Sequence, residues 1–169
     1  QLKRNRVSAC YFGEGAMAEG AFHETMNMAQ LWKLPVLFCC ENNGYAMGTA
    51  IERELSDVDL LVLAESYRMP AARADGMDVL ACHAAMGNAV EHIRTRGGPF
   101  FLEFRTYRFR PHSMFDPELY RDKAEVEKWK EHDPIATFTE RCLADGLLTA
   151  EDVAAIEDAA AAEVAEAVA

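Results

Sequence analysis

The stretch VSACYFGEGAMAEGAFHETMNMAQLWKLPVLFCCENNGY, residues 7–45, determines the fold class. Its first apolar run, residues 7–12, predicts a buried strand. Small and apolar side chains then recur at helical spacing over residues 18–32 and predict a helix, which Pro35 ends. A second apolar run, residues 35–40, predicts another strand. This order of strand, helix and strand is typical of a parallel sheet with right-handed crossovers.

The same alternation continues along the first two-thirds of the chain. The elements predicted next are a helix over 57–67 capped by Ser56, a weak strand over 69–74, a helix over 78–96 and a strong strand over 99–107. Residues 108–122 have no periodicity and predict a long loop, a kind of segment that is usually functional. Helices are predicted after it, beginning beyond Asp122, Asp133 and Thr149.

These elements predict an α/β fold, with a parallel sheet, flanking helices and further helices at the C-terminal end. A chain of 169 residues with 50% hydrophobic composition suffices for one domain with a substantial core. We expect a single domain over 1–169, made of a sheet layer (1–107), an active-site loop (108–122) and C-terminal helices (123–169). The chain begins at Gln1 and stops inside a helical pattern, so we expect it to be a piece of a longer chain.

Charge and composition narrow the class of partner. The net charge is −11, and residues 113–169 contribute 5 basic and 15 acidic side chains, a difference of −10. Such a surface repels nucleic acid and anionic membranes, and we expect neither as a partner. There is no run of 18 apolar residues and no signal-peptide pattern, so we expect an intracellular protein. The five cysteines lack metal or disulfide spacing and are predicted to be reduced thiols.

Two turns carry the polar residues that point to chemistry. Residues 13–16 follow the first predicted strand, and residues 42–45 follow the second. In an open parallel sheet, ligands bind at the carboxyl ends of the strands, where both turns are expected. The Glu14 carboxylate, the Asn43 amide oxygen and the Tyr45 carbonyl are oxygen ligands of the kind that Mg²⁺ prefers. Glycine lets a phosphate approach the backbone closely, and a helix N-terminus favours the anion.

Less specific interpretations remain open at this point. Gly-x-Gly and Asn-Asn-Gly each occur in ordinary turns. A dinucleotide-binding domain is disfavoured, because the first turn lacks the third glycine of that fingerprint and the second strand ends in Asn-Asn and not in an acid. A noncatalytic α/β binding module remains an alternative of another class.

The two turns together resemble the thiamine-diphosphate motif, which is Gly-Asp-Gly followed by Asn-Asn. Here 26 residues separate Gly15 from Asn42, and Glu14 stands in place of the usual Asp, as in some 2-oxoacid dehydrogenase alpha subunits. Longer segments are similar to alpha subunits of pyruvate dehydrogenase. They are Leu31-Trp32-Lys33-Leu34-Pro35, residues 41–49 (ENNGYAMGT), Asp75-Gly76-Met77-Asp78 and residues 106–117 (TYRFRPHSMFDP).

The resemblance implies a thiamine-diphosphate-binding fold with Mg²⁺ as the second cofactor. It implies metal ligation by Glu14, Asn43 and Tyr45, and a catalytic role for His112 beside the reacting centre. The cofactor-binding residues that it implies are Gly13, Glu14, Gly15, Ala16, Asn43, Tyr45 and His112. Ser113 matches a serine that is phosphorylated in animal mitochondrial enzymes, and is a candidate regulatory site.

The family also implies a reaction and partners. The reaction is oxidative decarboxylation of a 2-oxo acid, with acyl transfer to a lipoyl group on an acyltransferase component. Residues 109–117 look more like pyruvate- or acetoin-type subunits than branched-chain ones, whereas Glu14 is shared with branched-chain enzymes. Pyruvate is the favoured substrate, and acetoin or a branched-chain 2-oxo acid is the alternative. A beta subunit completes the active site in an α2β2 heterotetramer. The compartment implied is the bacterial cytoplasm, or the mitochondrial matrix for a eukaryotic protein, with the bacterial source favoured.

Overall fold

Strands and helices alternate through the first part of the chain in the computed structural model, which describes residues 5–169. In chain order the elements are β1 (Ser8–Gly13), a 3-10 helix (Glu14–Ala18), α1 (Gly20–Leu31), β2 (Val36–Asn42), β3 (Tyr45–Ala46), β4 (Thr49–Ala50), a second 3-10 helix (Ile51–Arg53), α2 (Leu60–Ser66), β5 (Ala71–Asp75), α3 (Val79–Arg96), β6 (Phe100–Arg105), α4 (Lys123–Lys130), α5 (Pro134–Ala144) and α6 (Ala150–Val168).

Four of the strands form one parallel sheet in the order β1-β2-β6-β5. The register pairs Gly13 with Glu41, and pairs Arg105 with both Asn42 and Asp75. The carboxyl ends of all four strands therefore meet at one edge of the sheet. The predicted α/β class with a parallel sheet, flanking helices and C-terminal helices is confirmed.

Both faces of the sheet are covered, which explains why β2 is a continuous apolar run and does not alternate. Its side chains point to opposite faces in turn. Phe38 and Cys40 pack in a cluster with buried residues of α1 and α2, whereas Leu37 and Cys39 pack with Ala89 and other residues of α3. Because β2 is one of the two inner strands of the sheet, the turn that follows it starts between the helices on one face and those on the other.

The prediction that the first strand is buried is wrong for this chain. β1 forms at the expected place, but most of its residues are exposed, and Tyr11 is 58% exposed. The reason is its position, because within residues 5–169 β1 pairs with β2 alone and forms an edge of the sheet. An apolar run indicates a strand, but it does not indicate how many neighbours that strand has.

The first two helices begin later than predicted. A 3-10 helix occupies Glu14–Ala18, and α1 starts only at Gly20. The N-cap of α2 is Asp59 and not the predicted Ser56. The Asp59 side chain accepts a hydrogen bond from the backbone N–H of Leu61 at 3.3 Å. The later helices begin where predicted to within one residue, and their N-caps are Asp78, Asp122, Asp133 and Thr149.

The chain divides into two compact units, one ending at Glu131 and one spanning His132–Ala169. The second unit contains α5 and α6, and α6 begins with a capping box between Thr149 and Asp152. A single domain over 1–169 stays a prediction. All five cysteines are free. Among residues 5–169, no helix has the length and apolar character needed to cross a membrane.

Candidate cofactor site

The two predicted turns lie side by side at the carboxyl edge of the sheet. They are adjacent because β1 and β2 are hydrogen-bonded neighbours whose last residues are in register. The backbone N–H of Asn43 donates to Oε2 of Glu14 at 3.2 Å. Two residues that are 29 positions apart in the sequence therefore meet in one small polar site.

Glu14 is the central acid of this site. Only 1% of its surface is exposed, and its Oε1 has no hydrogen-bond partner among residues 5–169. Burial raises the pKa of this carboxyl above its usual value, and backbone N–H donors oppose that shift only in part. A buried carboxylate oxygen without a partner is costly unless an ion or a donor compensates it. Oε1 is thus chemically suited to a cation.

Gly15 allows the turn after β1 to pack against the hairpin of β3 and β4. A Cβ at this position would lie 2.5 Å from the Cβ of Ala46, which is closer than two carbon atoms tolerate. A Cβ at Gly13, in contrast, would meet nothing within 4 Å. Gly15 therefore brings the two turns together in this chain through the contact with Ala46.

The second turn is shaped by its own side chains. Oδ1 of Asn42 accepts from the N–H of Gly44 at 3.0 Å, and Oδ1 of Asn43 accepts from the N–H of Tyr45 at 3.3 Å. Gly44 has a φ of +82°, which is a conformation that favours glycine. These contacts hold the turn beside Glu14, to which the backbone N–H of Asn43 donates.

The ring of Tyr45 ties this turn to α4. Its hydroxyl donates to the carboxylate of Glu125 at 2.9 Å. Burial, together with the Glu125 carboxylate, raises the pKa of Tyr45 to about 12. Glu125 thus holds Tyr45 across 80 residues of sequence.

Arginine and tyrosine side chains order the long loop that follows β6. Arg108 donates to the carbonyl of Met47 at 2.7 Å and to the hydroxyl of Tyr120 at 2.9 Å. Met47 lies two residues after Tyr45, so Arg108 anchors the loop to the segment that carries the site. The predicted loop is present and is folded back toward this edge of the sheet.

His112 lies in this loop and is exposed. Its Nδ1 is 3.0 Å from Nη1 of Arg108. Because a guanidinium only donates, Nδ1 is the acceptor and Nε2 carries the hydrogen in the neutral ring. The loop thus presents an N–H donor on His112, although no contact joins it to Glu14 or Asn43 within the described residues. Ser113, beside it, is also exposed.

Asn43 lies between two cavities of unequal character. A largely apolar cavity of about 820 Å³ is bounded by Asn43, Met86, Tyr107 and Arg108. A smaller cavity of about 280 Å³ lies on the other side, against Tyr45 and α4. The larger cavity has the volume of a small-molecule site, with a few polar groups among its lining residues.

Comparison with known proteins identifies the family of this chain. The model of the family described as "Dehydrogenase E1 component" matches residues 1–169. The chain belongs to the dehydrogenase E1 component family. The resemblance to the alpha subunit of the 2-oxoacid dehydrogenase first component is thereby confirmed.

Three relatives of this E1 chain are each named as a pyruvate dehydrogenase E1 component subunit alpha. The chain is 46% identical over 154 residues to the pyruvate dehydrogenase E1 component subunit alpha of Rhizobium meliloti, covering 90% of this chain and 44% of that protein. It is 46% identical over 152 residues to the same subunit of Zymomonas mobilis, covering 89% and 43%. The testis-specific mitochondrial form of Rattus norvegicus is 39% identical over 168 residues, covering 98% and 42%. The E1 chain thus spans about half the length of the curated relatives it matches.

The structure also reveals residues near the site that were not predicted from the sequence. Glu103 of β6 is fully buried and hydrogen-bonded to Asn42 and Arg73. One signal was present, because Glu103 is a single acid within the apolar stretch FFLEF. A charge in a buried strand requires partners, but the spacing of residues does not reveal which ones.

Proposed function

We propose that the protein is the alpha subunit of a pyruvate dehydrogenase first component. Its reaction would be the oxidative decarboxylation of pyruvate with acetyl transfer to a lipoyl group, using thiamine diphosphate and Mg²⁺. Bound thiamine diphosphate supplies the carbon nucleophile and electron sink that decarboxylation needs. The names of the relatives, each a pyruvate dehydrogenase alpha subunit, support pyruvate over acetoin and branched-chain substrates.

The observation that best supports this proposal is the buried Oε1 of Glu14, which has no hydrogen-bond partner among residues 5–169. A fully buried Oε1, beside the turn that bears Asn43, fits a metal ligand whose cation neutralises a diphosphate. We propose Glu14, the Asn43 side chain and the Tyr45 carbonyl as the Mg²⁺ ligands. Oδ1 of Asn43 accepts one hydrogen bond from Tyr45 and has a second lone pair to offer.

We assign the diphosphate contacts to the backbone of Gly13, Gly15 and Ala16. Gly13 is exposed and has open space around its Cα, which supports close approach by a phosphate. The 3-10 helix Glu14–Ala18 follows Gly13 directly, whereas α1 starts only at Gly20. The helical N-terminus nearest to the proposed diphosphate is therefore that of the 3-10 helix.

We assign cofactor contact and a catalytic role to His112. Arg108 holds the tautomer in which Nε2–H is the donor, which suits stabilisation of negative charge on a substrate or cofactor oxygen. Ser113 remains a candidate for regulatory phosphorylation, because it is exposed and adjacent to His112. A phosphate there would add about −1.5 to −2 charge to a loop that is ordered by its own ion pairs and hydrogen bonds.

The proposed partners are a beta subunit, in an α2β2 heterotetramer, and a lipoyl acyltransferase. Nucleic acid and membrane are not proposed as partners, since the net charge of −11 disfavours both. The proposed compartment is the bacterial cytoplasm, or the mitochondrial matrix for a eukaryotic source. Relatives from bacteria and the mitochondrial relative from Rattus norvegicus support these two compartments.

Cofactor binding by the complete α/β assembly tests the site. Glu14→Gln and Asn43→Ala are each expected to weaken Mg²⁺-dependent binding of thiamine diphosphate by about 100-fold or more, measured by calorimetry. Glu19→Gln is the matched control, because Glu19 is exposed and makes no side-chain cap. Unchanged affinity in both site variants would leave the noncatalytic binding module as the better interpretation.

Substrate is tested with the same assembly. Reduction of an electron acceptor is expected with pyruvate, and much less with 3-methyl-2-oxobutanoate or acetoin. Activity with acetoin alone would overturn the choice of pyruvate while leaving the cofactor site intact.

A further inference from the structure

Glu103 is a buried acid that the proposed reaction does not use. It lies in the middle of β6 with no exposed surface, between the apolar residues Leu102 and Phe104. Burying a carboxylate costs several kcal/mol unless charges and hydrogen bonds compensate it. The role of Glu103 therefore depends on the side chains that its carboxylate contacts.

Three side chains compensate the carboxylate of Glu103. Oε2 accepts from Nε of Arg73 at 2.6 Å, and Oε1 accepts from Nε of Arg105 at 3.1 Å and from Nδ2 of Asn42 at 2.8 Å. Arg73 also forms an ion pair with Asp59, the N-cap of α2, in which Nη2 of Arg73 lies 2.6 Å from Oδ1 of Asp59. The network thus runs from the start of α2, through the interior of the sheet, to the end of β2.

The contact with Asn42 fixes which way its amide group points. A carboxylate only accepts hydrogen bonds, so the Asn42 nitrogen must face Glu103 and the oxygen must face away. That oxygen accepts from the N–H of Gly44 at 3.0 Å and closes the turn. With the amide reversed, both contacts would be lost.

The turn held in this way carries the proposed metal ligands. Asn43, the next residue, donates its backbone N–H to Glu14, and its side chain accepts from Tyr45. Asn42 is 7% exposed, so water does not readily replace its partner. A change at Glu103 therefore reaches the site through one amide group.

We propose that Glu103 is a positioning residue, whose carboxylate orients the Asn42 amide and thereby presents Asn43 and the Tyr45 carbonyl to the metal beside Glu14. This role rests on the proposed function, since it concerns the same Mg²⁺ site. The competing role is structural only, in which the ion pairs of Glu103 stabilise the sheet without influencing the metal.

The test titrates Mg²⁺ into the complete α/β assembly at saturating thiamine diphosphate. Glu103→Gln keeps the shape of the side chain but removes the charge that pairs with both arginines, and it leaves one accepting oxygen where Arg73, Arg105 and Asn42 all donate. We expect the apparent Mg²⁺ affinity to fall about 10- to 100-fold, with kcat at saturating Mg²⁺ reduced much less. An unchanged Mg²⁺ affinity in the folded variant overturns the proposal.

Two further variants separate positioning from stability. Arg73→Gln removes the ion pair at Oε2 of Glu103 and leaves the contact between Oε1 and Asn42, so it should lower the melting temperature and leave Mg²⁺ affinity within about threefold. Asn42→Ala removes the link and leaves Glu103 with both arginines, so it should weaken Mg²⁺ binding as Glu103→Gln does. If Asn42→Ala has wild-type Mg²⁺ affinity, or if Arg73→Gln weakens it as much as Glu103→Gln, the positioning role is rejected.

An exchange of the two groups provides a rescue. In the double variant Glu103→Gln with Asn42→Asp, the new amide at 103 can donate to the new carboxylate at 42, which still accepts from Gly44. Mg²⁺ affinity should recover by about tenfold relative to Glu103→Gln, whereas a purely structural role predicts no recovery.

If Glu14→Gln also leaves binding unchanged, the proposed function fails. If Glu14→Gln abolishes binding and Glu103→Gln does not alter it, only the positioning role fails.

Discussion

Single atoms decide how closely the two turns of the site approach each other. Gly15→Ala would place a Cβ 2.5 Å from that of Ala46. We expect the variant to lose about 1–3 kcal/mol of unfolding free energy, because overpacking forces the backbone to shift. Urea unfolding of the full chain measures this loss, and cofactor affinity should fall with it because Glu14 precedes the displaced residue.

Two variants control for this effect. Gly13→Ala should be nearly neutral for stability, since its Cβ meets nothing within 4 Å and its φ of −85° suits any residue. Ala46→Gly removes the atom that clashes, so the double variant with Gly15→Ala should recover most of the stability. A Gly15→Ala protein as stable as wild type would show that the turn accommodates the methyl group without cost.

At the scale of elements, the loop between β6 and α4 depends on one buried arginine. The side chain of Arg121 is 1% exposed and donates to the carbonyls of Arg108 and Phe109 and to the carboxylate of Glu118. Its guanidinium also lies 5.5 Å from the ring centre of Tyr107. The loop is long and irregular, yet the carbonyls of Arg108 and Phe109 are satisfied by a side chain of the loop itself.

Arg121→Ala should therefore loosen this loop without unfolding the sheet. Hydrogen bonds to a charged group contribute about 1.5–3 kcal/mol each, so hydrogen-exchange protection across 108–122 should fall by about tenfold or more. Arg110→Ala is the matched control, since Arg110 lies in the same loop and is exposed. Equal exchange in the two variants would contradict the role of Arg121.

For the whole molecule, the buried thiols of β2 report on the integrity of the sheet. Cys39 is fully buried, and burial raises its pKa from 9.0 to about 11. At pH 8 its thiolate is about 100-fold scarcer than that of an ordinary thiol, in addition to being shielded from reagents. Cys10 of the edge strand β1 is exposed and should react first.

Labelling with a thiol reagent, followed by mass spectrometry, checks this expectation in the full chain. Cys10 should be modified in the native state, and Cys39 only on unfolding. Because Cys39 stays protonated when folded and ionises near pH 9 when unfolded, its contribution to stability is present below about pH 9 and is lost as pH rises toward about 11. Labelling of Cys39 as fast as Cys10 at pH 8 would show that the sheet opens.

Much of the fold and part of the candidate site follow from local pattern. Apolar runs and helical spacing predicted each long element, because the strand and helix periods are written into neighbouring residues. The two turns could be placed at one edge because parallel strands end on the same side. The helix starts at Asp133 and Thr149 could be predicted because their side chains bond only to the next few residues.

What the sequence by itself determined is the α/β class, the family resemblance and the meeting of Glu14 with Asn43. Only the tertiary structure decided that β1 pairs with β2 alone within residues 5–169, that Tyr45 is held by Glu125, and that the buried Glu103 faces Asn42. These contacts join positions 61 and 80 residues apart. Local spacing does not encode such partners, since they depend on which strands become neighbours and on which buried charge must find its compensation.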